Sequence, residues 1–172
     1  MKTFKKITVA AIAFAGILVA ACSQDKKQGS DTKEQTDNKQ KARKWYDAFN
    51  AKDTVLLQSL LDEEWQDLPT DPKHPVGKKE TGELLTHLTT VFSDFNCEIK
   101  DILQDGNKVI VRSVLRGKQA SDFMGFPSKA RSISIQAIDI HEFRNGKIVR
   151  TWHTEDWLSG LGQLGHLPEA KP

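Results

Sequence analysis

The stretch RSISIQAIDIHEFRNGKIVRTWHTE, residues 131–155, decides the fold. Ile133, Ile135, Ala137, Asp139 and His141 share one parity in it, the two-residue period of a strand whose faces meet different surroundings. Asn145-Gly146 follows, and that pair suits a tight hairpin turn because both central positions must accept positive φ. Residues 131–143 therefore read as a long strand, and residues 147–155 as the last strand, returning antiparallel to it.

Outward from this hairpin the pattern stays extended for a while. Residues 117–130 hold Gly125 and Pro127 and read as a loop. Residues 108–116 read as a strand, Asp105-Gly106 as a turn, and residues 97–103 as a further strand. Upstream the period changes to that of a helix. Leu84, Leu85, Leu88, Val91 and Phe92 give a buried stripe to a helix over about 80–93. Residues 69–78, with Pro69, Pro72, Pro75 and Gly77, form a loop, and Trp65 to Leu68 a short extended piece. A short helix over 55–61 follows an N-cap at Asp53. Ala42, Trp45, Tyr46 and Phe49 stand at i, i+3, i+4 and i+7 of another. Downstream, residues 157–164 close the chain before a tail at 166–172. Helices first and an antiparallel meander after them predict an α+β domain over 41–165. Its curved antiparallel sheet and three N-terminal helices would enclose one pocket, the default ligand site of a small domain.

The N-terminus reads differently. Lys2, Lys5 and Lys6 precede an uncharged apolar run from Ile7 to Ala21, too short for a span of ~20 residues. The order of charge, apolar run, small residues Ala20 and Ala21, and Cys22 is that of a secretory signal, residues 1–21. It resembles the bacterial lipobox, which implies acylation of Cys22 and a membrane-anchored lipoprotein outside the cytoplasm. Residues 22–40 lack large apolar side chains and read as a disordered tether, with a reach of roughly 23 Å. Loss of the three signal lysines lowers 25 bases to 22 against 23 acids. No basic face for nucleic acid is then expected. With Cys22 acylated, Cys97 stands alone, a small half-buried residue and not half of a disulfide.

From Tyr46 onward the chain resembles the SnoaL-like polyketide cyclase (ester cyclase) family of the nuclear-transport-factor-like superfamily. The resemblance is carried by Tyr46 to Asp53, by Arg116-Gly117 with Phe123 to Pro127, and by Ile138 to Val149, continuing through Trp152, Asp156 and Gln163 to Gly165. It implies a cone-shaped α+β fold and a cyclase that needs no metal or organic cofactor. It also implies an aspartate base near the end of the last strand that removes an acidic proton from an ester-bearing substrate. The matching residue is Asp156. A carboxylate in an apolar pocket has a raised pKa and is a better base near neutrality; Asp is equally a favoured N-cap for the closing helix, and the two roles are compatible. Many members carry histidines where this chain has Leu68 and Gln119. Gln119 retains a hydrogen-bond donor for an oxygen, and Leu68 does not.

Other side chains complete the candidate site. His141 and Asp139 form an acid/base pair if their face points inward; the bland alternative is an exposed histidine at a hairpin end. Tyr46, Phe49, Trp65, Phe92 and Trp152 are the aromatic residues expected around a small apolar or ester-bearing ligand. Asp67 offers a second carboxylate or a solvated strand end. His153, Glu155 and His141 show no recognised metal-ligand spacing, and no metal or cofactor is expected. Three roles follow: an enzyme with Asp156 as base, a lipid-anchored binder of a small apolar molecule, or an interaction module forming a homodimer through its open sheet.

Overall fold

A computed structural model describes residues 22–71 and 73–168. The expected signal segment, 1–21, and the last four residues of the tail lie outside the described residues. The elements in chain order are α1 (Cys22–Ala51), α2 (Thr54–Leu60), β1 (Leu61–Leu68), α3 (Thr81–Val91), β2 (Phe92–Asp105), β3 (Lys108–Gln119), β4 (Ser132–Arg144), β5 (Lys147–Glu155) and α4 (Trp157–Gln163). The five strands form one curved, unclosed sheet in the order β1-β5-β4-β3-β2. This is the α+β cone expected from the sequence.

Local chemistry explains the joints. Asn145 (φ 52°) and Gly146 (φ 72°) are both left-handed, the type I′ turn that matches the twist of β4 and β5. Asp53 accepts a hydrogen bond from Leu56 N at 2.8 Å and starts α2. Asn50 uses both ends of its amide on the β2 backbone: Nδ2 donates to Cys97 O at 3.0 Å and Oδ1 accepts from Cys97 N at 2.7 Å. That contact lies beside a register shift in β2 between Ser93 and Asn96, and such bulges bend a strand. Gly117 lets β3 pass beneath Phe92, because a Cβ there would meet Phe92 Cβ at 2.8 Å.

One expectation needs correction. The sheet is not wholly antiparallel, since β1 runs parallel to β5 along one edge. α1 runs through residues 22–40, the stretch expected as a tether. Their lysines, glutamines and Glu34 are good helix formers, and Gly29 is the only strong breaker. The later turns of α1 dock through Asn38, Ala42, Trp45, Tyr46 and Ala48. No helix among the described residues is long and apolar enough to cross a membrane.

Candidate active site

The helices cover the concave face of the sheet and leave a cavity of about 320 Å³, at the small end of the ~300–1,000 Å³ typical of small-molecule sites. Tyr46, Phe49 and Trp65 stand in its wall, as do Trp45, Phe95 and Trp157. Three carboxylates and one imidazole interrupt this apolar lining: Asp67, Asp139, Glu155 and His153. All four come from the edge half of the sheet. Asp139 on β4 faces His153 on β5 as a cross-strand pair, and Ala137 faces Glu155 in the same way. Asp67 approaches from β1, its Oδ1 at 3.5 Å from His153 Nε2.

Behind this wall runs a buried chain of hydrogen bonds. Trp65 Nε1 donates to Thr151 Oγ1 at 3.1 Å. Thr151 Oγ1 lies 3.1 Å from His141 Nδ1, His141 Nε2 lies 3.4 Å from the Tyr46 hydroxyl, and that hydroxyl donates to Asp139 Oδ2 at 2.6 Å. Indole nitrogen only donates, and an ionised carboxylate only accepts. One arrangement therefore satisfies every link: Thr151 donates to His141 Nδ1, His141 Nε2–H donates to the Tyr46 oxygen, and Tyr46 donates to Asp139. The chain points its donors at one carboxylate. His141 must be neutral in it, and burial, followed by the charge of His153, pulls its pKa down to about 3.

Asp139 is the chemically distinctive group. Only 7% of it is exposed, and burial pushes its carboxyl up to about 6. The Tyr46 hydrogen bond and the charge of His153 oppose that rise, while Glu155 and Asp67 add to it. Burial likewise raises Asp67, against the pull of His153. Burial and then the Asp139 charge hold the Tyr46 phenol well above its ordinary range. The Cys97 thiol, also in the wall, is pushed up by burial and then by the charges of Asp139 and Glu155. It is therefore protonated and a poor nucleophile.

Several sequence-expected residues lie elsewhere. Asp156 is exposed and caps α4, its Oδ1 accepting from Ser159 N at 3.1 Å. That bond holds its carboxyl below the usual range, the opposite of what a base near neutrality needs. His141 is wholly buried behind Tyr46 and Trp45, neither at the cavity surface nor exposed at a hairpin end. Phe92 lies in the core behind the wall, stacked on Trp157 with centroids 5.9 Å apart. Trp152 points out of the convex face, where the Lys108 ammonium sits 5.1 Å from its ring centroid. The cause is a bulge. Glu142 pairs with Arg150 but Phe143 with Ile148, so Val149 is an extra residue that reverses side-chain parity along β5. Thr151, His153 and Glu155 then face inward.

Gln119 is also withdrawn from the cavity. It is fully buried, donating from Nε2 to Phe126 O at 3.2 Å and accepting from His166 Nε2 at 3.2 Å. It anchors a flap in which Phe123 and Phe126 exchange two backbone bonds of 2.9 Å around left-handed Met124 and Gly125. Phe123 and Met124 carry that flap to the cavity mouth. Asp139, Asp67, His153, Glu155 and Trp157 thus complete the site. Strand parity alone signalled Asp139, and nothing local in the sequence marks the parity reversal that brings in His153 and Glu155.

The helices and the curved sheet together define a fold of the nuclear-transport-factor-like type. Residues 40–164 match the SnoaL-like polyketide cyclase family, and the chain belongs to that family. Among solved structures, TsrD from Streptomyces laurentii is 23% identical with a TM-score of 0.71, covering 77% of this chain and 97% of its own. IdmH from Streptomyces antibioticus is 26% identical with a TM-score of 0.66, covering 74% and 98%. AclR from Streptomyces galilaeus is 20% identical with a TM-score of 0.70, covering 80% and 90%. No curated protein matches the chain.

Proposed function

We propose that this protein is a cofactor-independent enzyme that moves a proton on a small, largely apolar carbonyl compound, with Asp139 as the base. The observation that carries this reading is a carboxyl in the wall of an aromatic cavity, held at about 6 by its burial and gripped through one oxygen by Tyr46. Oδ2 is fixed, so Oδ1 takes the proton from the carbon next to the carbonyl. The electron pair moves onto the carbonyl oxygen, and the imidazole N–H of His153, the cross-strand neighbour of Asp139, donates to that oxygen. The enolate either attacks a second carbonyl of the same molecule, closing a ring and leaving an alkoxide that takes the proton from Asp139, or takes that proton back from Asp139 at another carbon. Membership of the polyketide cyclase family supports this chemistry, as does the likeness to IdmH, itself proposed to be a polyketide cyclase.

The test is exchange of carbon-bound hydrogen. A panel of apolar ketones and β-keto esters is incubated with the protein in D2O and followed by proton NMR. Catalysed exchange is expected in the wild type and a loss of at least a hundredfold in Asp139→Asn. Ligand-induced shifts without exchange would instead favour an anchored binder that does not react its ligand. For the location, the lipobox reading of residues 19–22 supports a lipid anchor at Cys22, which holds the domain outside the cytoplasm.

A further inference from the structure

Proton transfer by one aspartate does not account for the charge on the cavity wall. Asp67, Asp139 and Glu155 line it, and no lysine or arginine does so among the described residues. His153 stands among these acids, and even its protonated form leaves them in excess. Asp67 Oδ1 is enclosed, and its nearest donor among the described residues, His153 Nε2 at 3.5 Å, makes no hydrogen bond of good geometry to it. Asp139 is more than nine-tenths buried, with Oδ2 bonded to Tyr46. A buried acceptor without a donor is costly, so such a group as Asp67 Oδ1 in a binding cavity points to a ligand that supplies donors. The rest of the wall includes the aromatic side chains of Trp45, Trp65, Phe95 and Trp157, and aromatic rings attract cations. Carboxylates and aromatic rings in one small cavity are complementary to a positive charge on an apolar body and repel an anion.

We infer that the pocket selects a small apolar molecule bearing a protonated amine, with its ammonium group between Asp67 and Glu155 and its hydrocarbon against the aromatic wall. The inference deepens the proton-transfer reading, and rests on it in placing the reacting carbon at Asp139. An ammonium supplies three donors to Asp67 and Glu155 and offsets the cost of keeping several carboxylates in one enclosed space.

Isothermal titration calorimetry of the full chain at pH 7.5 tests this with three phenyl compounds of similar size: 2-phenylethylamine, 2-phenylethanol and 3-phenylpropanoate. The amine is expected to bind at least tenfold more tightly than the alcohol, and the propanoate most weakly. Asp67→Asn and Glu155→Gln should each shrink the amine-to-alcohol ratio severalfold, whereas Asp67→Glu, which keeps the charge, should retain most of it. A variant that merely loses its fold weakens both probes together. Equal or tighter binding of the alcohol, or a ratio indifferent to both neutralising substitutions, overturns the inference. Loss of the amine preference with carbon-hydrogen exchange intact removes this inference and spares the catalytic reading. Absence of exchange with the preference intact does the reverse.

Discussion

The Tyr46 hydroxyl donates to Asp139 Oδ2 across 2.6 Å, joining α1 to β4 over 93 residues of chain. This bond is the last link of the buried chain that begins at Trp65, and it stabilises the ionised form of Asp139. Tyr46→Phe removes it and strands the His141 Nε2–H. A hydrogen bond to a charged group is worth ~1.5–3 kcal/mol, so a loss of that order is expected in urea unfolding above pH 7. The Asp139 pKa should also rise, moving the acidic limb of any exchange profile to higher pH.

Asp139 itself is expected to trade stability for reactivity. Its folded pKa of about 6 exceeds the ordinary 3.8, so the native state holds this proton more tightly than the unfolded chain. Stability from it is complete below about 4 and is lost as pH rises through about 6. The loss is about 3 kcal/mol at most. Asp139→Asn keeps an acceptor for Tyr46 and removes the buried charge. It should unfold at higher urea than the wild type at pH 7.5, and the gap should close by pH 4.5. The groups facing this carboxylate are Tyr46 on α1, Asp67 on β1, Cys97 on β2, and His153 and Glu155 on β5. All are common to both proteins, so the difference between the curves reports Asp139 together with its coupling to these neighbours.

His141 acts in the opposite sense. Its folded pKa, pulled from 6.5 to about 3, means that the unfolded chain binds the proton first as pH falls. Stability drops between about 6.5 and 3, in the window where Asp139 contributes more. The two slopes oppose each other in the wild type. In Asp139→Asn the histidine slope is unmasked, and urea midpoints should fall steeply with acid below pH 6.

Asp156→Ala separates the two roles available to that residue. The structure makes it the cap of α4 through Ser159 N. A modest fall in melting temperature is expected, with exchange activity within about threefold of the wild type.

Cys22→Ala tests the anchor. Cell fractionation should find the wild type in membranes and labelled by a clickable palmitate analogue, and the variant soluble and unlabelled. A membrane-bound, labelled variant would contradict the lipoprotein reading.

Much of this architecture was legible because burial writes its period into the chain. The odd-numbered face of β4, Ile133 through His141, is the buried one, and Asn145-Gly146 sits where its turn requires. The parallel edge pairing of β1 with β5 was not legible, since no local pattern encodes which distant strand becomes a neighbour. Val149 leaves no local mark either: one inserted residue sends Trp152 outside and brings His153 and Glu155 in. At Asp156, capping a helix and serving as a base call for the same side chain, and only its surroundings separate them. The same holds at Gln119, since an amide suited to an enolate oxygen is equally suited to holding a flap.

The pH dependence of carbon-hydrogen exchange, measured in parallel for the wild type, Asp139→Asn and Asp156→Ala, tests the central claim most directly. The rate should rise through a midpoint near 6 in the wild type and in Asp156→Ala, with no such limb in Asp139→Asn. A midpoint near 4, or a profile that survives Asp139→Asn and vanishes in Asp156→Ala, would contradict that claim.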